Sequence, residues 1–114
     1  MGRISTMPHG DHVLISADKI IGYLLSETHP VGRSKARFFR SAGYTEKNWR
    51  ALERELRRIA VSGETVDTIE SDYGIKYVIQ GMMRTPVVKK VPIITVWIVE
   101  KSQRYPRFVT AYPL

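Results

Sequence analysis

The sequence predicts an α+β fold, with N-terminal helices packed on one face of a four-stranded antiparallel sheet. Three observations carry this expectation. Up to about residue 61, apolar residues recur at three- and four-residue steps, the period of a helix with one buried face. From about residue 65 the period drops to two, in segments rich in β-branched and aromatic residues. The connections between those segments, "SDYG", "TPVVKKVP" and "KSQRYP", are short enough for an antiparallel meander.

The first helix is expected over "SADKIIGYLLSE", 16–27. Ser16 suits its N-cap, Asp18 its positive end, and Ile20, Ile21, Leu24 and Leu25 form the apolar stripe. Pro30 disfavours helical geometry at His29 and Gly32 supplies a turn, so "THPVG" ends it. A short second helix follows over Lys35–Ala42, capped by Ser34 and closed by Gly43. A third begins at Thr45 and runs through "EKNWRALERELRRIAV", where Trp49, Leu52, Leu56 and Ile59 make the stripe and Glu53–Arg57 an i,i+4 pair. Its polar face mixes signs, as a solvated helix face does. Four strands are expected at 65–70, 75–84, 93–100 and 107–112, with no substantial helix after residue 65.

The chain has 114 residues, enough for one domain, and 43% of them are hydrophobic, which suits a packed core. Residues 1–15 read as a flexible N-terminal segment and 16–114 as a single domain. With no cysteine, disulfides, thiolate metal sites and thiol nucleophiles are excluded. His9 and His12 fall in the polar start of the chain. No apolar run reaches the roughly 20 residues that cross a bilayer, and the start has no signal-peptide core, so a cytoplasmic protein without a membrane partner is expected. Lys and Arg total 18 against 11 acidic residues, a net charge of +7 that favours a polyanionic partner such as nucleic acid. A solvated basic surface accounts for the same excess.

Alternation sorts the strand residues into two faces. One face is expected to gather Lys76, Gln80, Arg84, Thr95, Trp97, Thr110 and Tyr112, opposite a core set of Ile94, Val96 and Ile98. A one-residue slip in register exchanges the faces. Cations, hydroxyls and aromatic rings on one surface are the materials for holding phosphates and stacking bases. "HPVGRSKARFF", 29–39, adds His29, Arg33 and Lys35 around a Pro/Gly turn. His29 fits two roles, a general acid or base or a helix-end histidine bonded to the last carbonyls of the first helix. The chain has no Walker A or GxGxxG loop, no HExxH and no GxSxG, and its acidic residues are dispersed, so no metal or cofactor is expected.

"YLLSETHPVGRSKARFFRSAGYTEKNW", followed by "YGIKYVIQG", "TVWIV" and "PRFVTAYP", resembles a family of short bacterial toxin-like domains. These occur beside antitoxin-like genes or as C-terminal tips of polymorphic secreted toxins. The resemblance covers nearly all the chain after the first dozen residues, and "HPxGxSKAxFF" is its most specific part. It implies the barnase–EndoU–colicin–RelE class, in which helices precede a curved antiparallel sheet and RNA is cleaved without metal. On that implication the chain is a ribonuclease toxin of a toxin–antitoxin or polymorphic toxin system, acting on RNA, tRNA included, through 2′-hydroxyl attack on phosphate. The expected catalytic residues are His29, Lys76, Thr110 and Tyr112. The expected substrate-binding residues are Arg33, Lys35, Gln80, Arg84, Thr95 and Trp97. The expected protein partner is a cognate antitoxin or immunity protein. Two other readings remain beside this one: a nucleic-acid-binding module without catalysis, and an interaction domain whose sheet accepts a partner strand.

Overall fold

A computed structural model describes residues 6–114. After a short 3-10 turn (Gly10–His12) the order of elements is three helical segments and then four strands: α1 (Ala17–Lys19, continued by a π turn, Ile20–Leu24), α2 (Arg33–Ser41), α3 (Trp49–Ser62), β1 (Glu64–Ser71), β2 (Gly74–Met83), β3 (Val91–Glu100) and β4 (Arg107–Pro113). The strands form one antiparallel meander in the order β1-β2-β3-β4, and no helix follows residue 65. This is the predicted α+β architecture, helices against one face of the sheet.

Local chemistry explains where the helices start and stop. The Ser16 hydroxyl accepts the Lys19 N–H at 3.2 Å, the expected cap. The first helix then ends at Leu24 rather than 27, because the Ser26 hydroxyl accepts the amides of Thr28 (3.3 Å) and His29 (3.1 Å), a local turn that competes with helix. The second helix ends as predicted: Gly43 takes a φ of 103°, Tyr44 N–H bonds the Phe39 carbonyl at 3.0 Å and Gly43 N–H the Arg40 carbonyl at 3.0 Å. The third helix starts at Trp49, not Thr45, because Asn48 closes a turn first, accepting Thr45 N–H at 2.6 Å and donating to the Gly43 carbonyl at 2.9 Å. The Glu53–Arg57 pair is present at 2.9 Å, and Arg57 also reaches the Val13 carbonyl at 2.7 Å.

The core lies between the helices and one sheet face. Leu52, Leu56 and Ile59 of α3 are fully buried, as are Ile20, Leu24, Leu25 and Phe39, against Tyr77, Ile79, Met83, Trp97 and Phe108. Here the structure corrects the expected faces. Thr95 and Trp97 are fully buried on the helix-facing side, while Ile94, Val96 and Ile98 line the other face with Lys76, and of those three only Ile94 is buried. Trp97 Nε1–H donates to the Thr95 hydroxyl at 2.8 Å, which donates to the Ile79 carbonyl at 2.9 Å, so the polar atoms that made these residues look like surface groups satisfy one another inside.

Residues 1–5 lie outside the described residues. Met7 and Val13 are buried, and Leu14 lies parallel to Arg107 along the outer edge of β4, exchanging backbone bonds with Pro106 (2.8 Å) and Phe108 (2.9 Å). The start of that edge is therefore paired, and α1 follows Leu14 closely in the chain.

Candidate functional site

The local irregularity that builds the site is a bulge in β4. Val96 pairs with Thr110 and Trp97 with Phe108, which leaves Val109 without an opposite number. At this bulge the Lys19 ammonium donates to the Val109 carbonyl at 2.9 Å. One residue on, the Thr110 hydroxyl meets the Tyr23 hydroxyl at 2.9 Å, either of which can be the donor.

Tyr23 is the hub of this corner. The Lys19 ammonium lies 4.6 Å from its ring centroid and the Lys35 ammonium 5.9 Å, both within cation–π range. The His29 ring meets it edge-on, with centroids 5.1 Å apart and planes at 90°. Gly32 makes this closeness possible: a Cβ there would sit 2.3 Å from the Tyr23 carbonyl oxygen. No other residue type fits.

His29 does not take the helix-end part expected of it. Its Nδ1 accepts the backbone N–H of Val31 and of Gly32, each at 3.0 Å, and its carbonyl accepts Arg33 N–H at 3.1 Å. The imidazole thus caps the turn leading into α2, instead of bonding the end of the first helix. In the neutral ring the proton then sits on Nε2, which is left as a donor beside Tyr23. This also corrects the start of α2, which begins at Arg33 without a cap from Ser34.

The remaining predicted residues divide into groups. Three cross-strand rows run over the outer face: Lys76–Ile98–Arg107, Val78–Val96–Thr110 and Gln80–Ile94–Tyr112. Lys76, Gln80, Thr110 and Tyr112 therefore share one face, as expected, with Lys76 exposed and Tyr112 38% exposed. Lys35 joins through Tyr23, and Arg33 is exposed at the first position of α2. Thr95 and Trp97 are in the core and face away. Arg84 stands six residues along the chain from Val78, which shares a row with Thr110, about 20 Å at strand rise, and its amide donates to Glu55 at 2.8 Å. That distance separates it from the bulge.

Sequence reasoning missed Lys19 and Tyr23. Both lie in a segment read as an ordinary amphipathic helix, and the only signal was their spacing of four, which puts them on one helical face. A cavity of about 450 Å³ opens beside Lys19, lined also by Ser16, Lys76, Ile98, Arg107 and Val109. Lys19 thus belongs both to the Tyr23 corner and to a groove that reaches Lys76. Among the described residues, neither lysine pairs with a carboxylate, whereas Arg107 pairs with Glu100. The site is a positively charged corner with a donor imidazole and two coupled hydroxyls, suited to gripping a phosphodiester.

Among the described residues no group of three His, Asp or Glu side chains is arranged to hold a metal ion, and no helix is long and apolar enough to cross a membrane. The chain matches no curated protein. Among solved structures it superposes on a chain of a contact-dependent growth inhibition toxin–immunity protein complex from Klebsiella pneumoniae 342, with a TM-score of 0.68 over 88% of this chain and 98% of that one. At 19% identity this is a likeness of fold. The family model of a domain of unknown function, DUF6883, matches residues 6–114, and the chain belongs to that family.

Proposed function

We propose that the domain is a metal-independent endoribonuclease of a bacterial toxin system, cleaving RNA by attack of the 2′-hydroxyl on the adjacent phosphate. The observation that carries this reading is the meeting of His29, the Tyr23–Thr110 hydroxyl pair and the Lys19 ammonium at the bulge of β4. In the net reaction the 2′-oxygen bonds to phosphorus, the bond from phosphorus to the 5′-oxygen breaks, and the proton lost by the 2′-hydroxyl ends on the 5′-oxygen. Lys19, whose ammonium lies over the Tyr23 ring, stabilises the negative charge that builds on the phosphate. The His29 Nε2–H adds a neutral hydrogen bond to a phosphoryl oxygen, a task worth several kcal/mol when the donor is held in place. Tyr23 and Thr110 each give and take a proton and carry it between the two sugar oxygens. Tyr112, two residues along the same side of β4, stacks the neighbouring base, and Lys35 and Arg33 attract the strand.

The net charge of +7 and the fold shared with a member of a toxin–immunity complex support the toxin setting. A cognate immunity or antitoxin protein covers this basic corner in the producing cell. The test is RNA cleavage in EDTA. Products ending in 2′,3′-cyclic phosphate, and resistance of 2′-O-methyl RNA, support the reaction. Salt-sensitive RNA binding with no cleavage selects a binding module instead, and no RNA binding selects an interaction domain.

A further inference from the structure

The groove that starts at Lys19 does not stop at Lys76. A second cavity, of about 410 Å³, shares Lys76, Ile98 and Arg107 with the first and continues to Ile69, Ser71 and Tyr73. The two together make one track across the outer sheet face, from the catalytic corner to the β1–β2 turn. Its chemistry changes along its length. Lys76 and Arg107, with the single carboxylate of Glu100, leave a positive middle. The far end carries Tyr73, a large aromatic side chain that is 79% exposed at the tip of the turn, where packing gives it no reason to be.

We infer that this track holds the single-stranded RNA flanking the cleaved bond, with a backbone phosphate at Lys76 and Arg107 and a base stacked on Tyr73. The inference rests on the ribonuclease reading for the identity of the polyanion. Alternating cation and exposed ring along one groove is the arrangement that binds single strands with little regard to sequence, because every base has a face to stack. Duplex is disfavoured, since its bases are already stacked and Tyr73 has nothing to take up. The aliphatic floor supplied by Ile69 and Ile98 suits sugar and base edges rather than a small ion.

The test uses a fluorescent 2′-O-methyl hexanucleotide of mixed sequence, which the proposed reaction does not cleave. The full chain is titrated with it at several salt concentrations. Tyr73→Ala is expected to weaken binding about tenfold with the salt slope unchanged, and Tyr73→Trp to restore it. Lys76→Ala is expected to weaken binding and to lower the slope by about 1. Circular dichroism melts confirm that each variant is folded. Unchanged affinity in both Tyr73→Ala and Lys76→Ala overturns the track, and so does failure of the wild type to bind. Cleavage of unmodified RNA is scored separately. Binding with the expected pattern but no cleavage keeps the track and removes the nuclease, while cleavage with no effect of either substitution removes the track alone.

Discussion

The hydroxyls of Tyr23 and Thr110 stand 2.9 Å apart and tie the first helical segment to the bulged edge strand. The contact spans 87 residues of sequence, so it forms only in the folded domain. Tyr23→Phe and Thr110→Val each remove it while keeping shape. Each is expected to cost about 1 kcal/mol in stability, and the double variant no more than either alone, as a thermodynamic cycle from denaturant melts measures. On the proposed mechanism both also lower RNA cleavage by at least tenfold.

Gly32→Ala is expected to be far more damaging than its size suggests. The new methyl meets the Tyr23 carbonyl oxygen and ring, and the turn that presents two amides to His29 has to open. Destabilisation of about 1–3 kcal/mol, the range for overpacking, follows, together with loss of the Tyr23–His29 corner. A thermal melt reads the first. A Gly32→Ala protein as stable as wild type would show that the turn is slack and that the close approach has no consequence.

The two jobs of His29 separate by substitution. An Asn side-chain oxygen occupies nearly the place of Nδ1 and accepts the same two amides, but has no atom at Nε2. His29→Asn is expected to keep the melting temperature within a few degrees and to lose cleavage by about a hundredfold. His29→Ala loses both, with about 1–2 kcal/mol from the unpaired amides. Full activity in His29→Asn would return the histidine to a purely structural part.

At the far end of β2, Glu55 makes stability depend on pH. Burial alone raises its carboxyl, but hydrogen bonds from the Arg58 guanidinium and the Arg84 amide, each at 2.8 Å, outweigh it and hold the group below its usual range. A lowered folded value means that the carboxylate contributes above its ordinary value of 4.5 and that this contribution is lost as pH falls through the lower, folded one. Glu55→Gln is therefore expected to be less stable than wild type at pH 7 and to converge on it at low pH. Urea melts from pH 7 to 3 check the sign. A constant gap across that range contradicts it.

These residues also show how far the sequence could be read. The helical stripe Leu52–Leu56–Ile59, the Gly43 stop and the Glu53–Arg57 pair are local, so spacing alone reveals them. The period of two separates Thr95 and Trp97 from Ile94 and Ile98, but does not say which set faces the helices. A hydrogen-bonded chain to the Ile79 carbonyl across the sheet satisfies the polar atoms of the buried set, and spacing does not reveal it. The bulge at Val109 is a single inserted residue with no composition of its own, so neither it nor the place of Lys19 was legible. Tyr23 looked like one more residue of an amphipathic helix, and Arg84 like one more residue of the strand. His29 was recognisable as unusual because a titratable side chain stood alone in a Pro/Gly turn, while its capping bonds depend on the turn's geometry.

The central claim is that the Tyr23, His29, Thr110 and Lys19 corner cleaves RNA without a metal. Single-turnover cleavage of an RNA pool in EDTA, compared between wild type and folded His29→Asn and Lys19→Met proteins, tests it most directly. The account predicts wild-type cleavage with 2′,3′-cyclic phosphate ends, and losses of about a hundredfold in each variant, the usual effect of removing a held donor or charge at a reacting phosphate. Cleavage that disappears in EDTA, cleavage of 2′-O-methyl RNA, or full activity in both variants would contradict it.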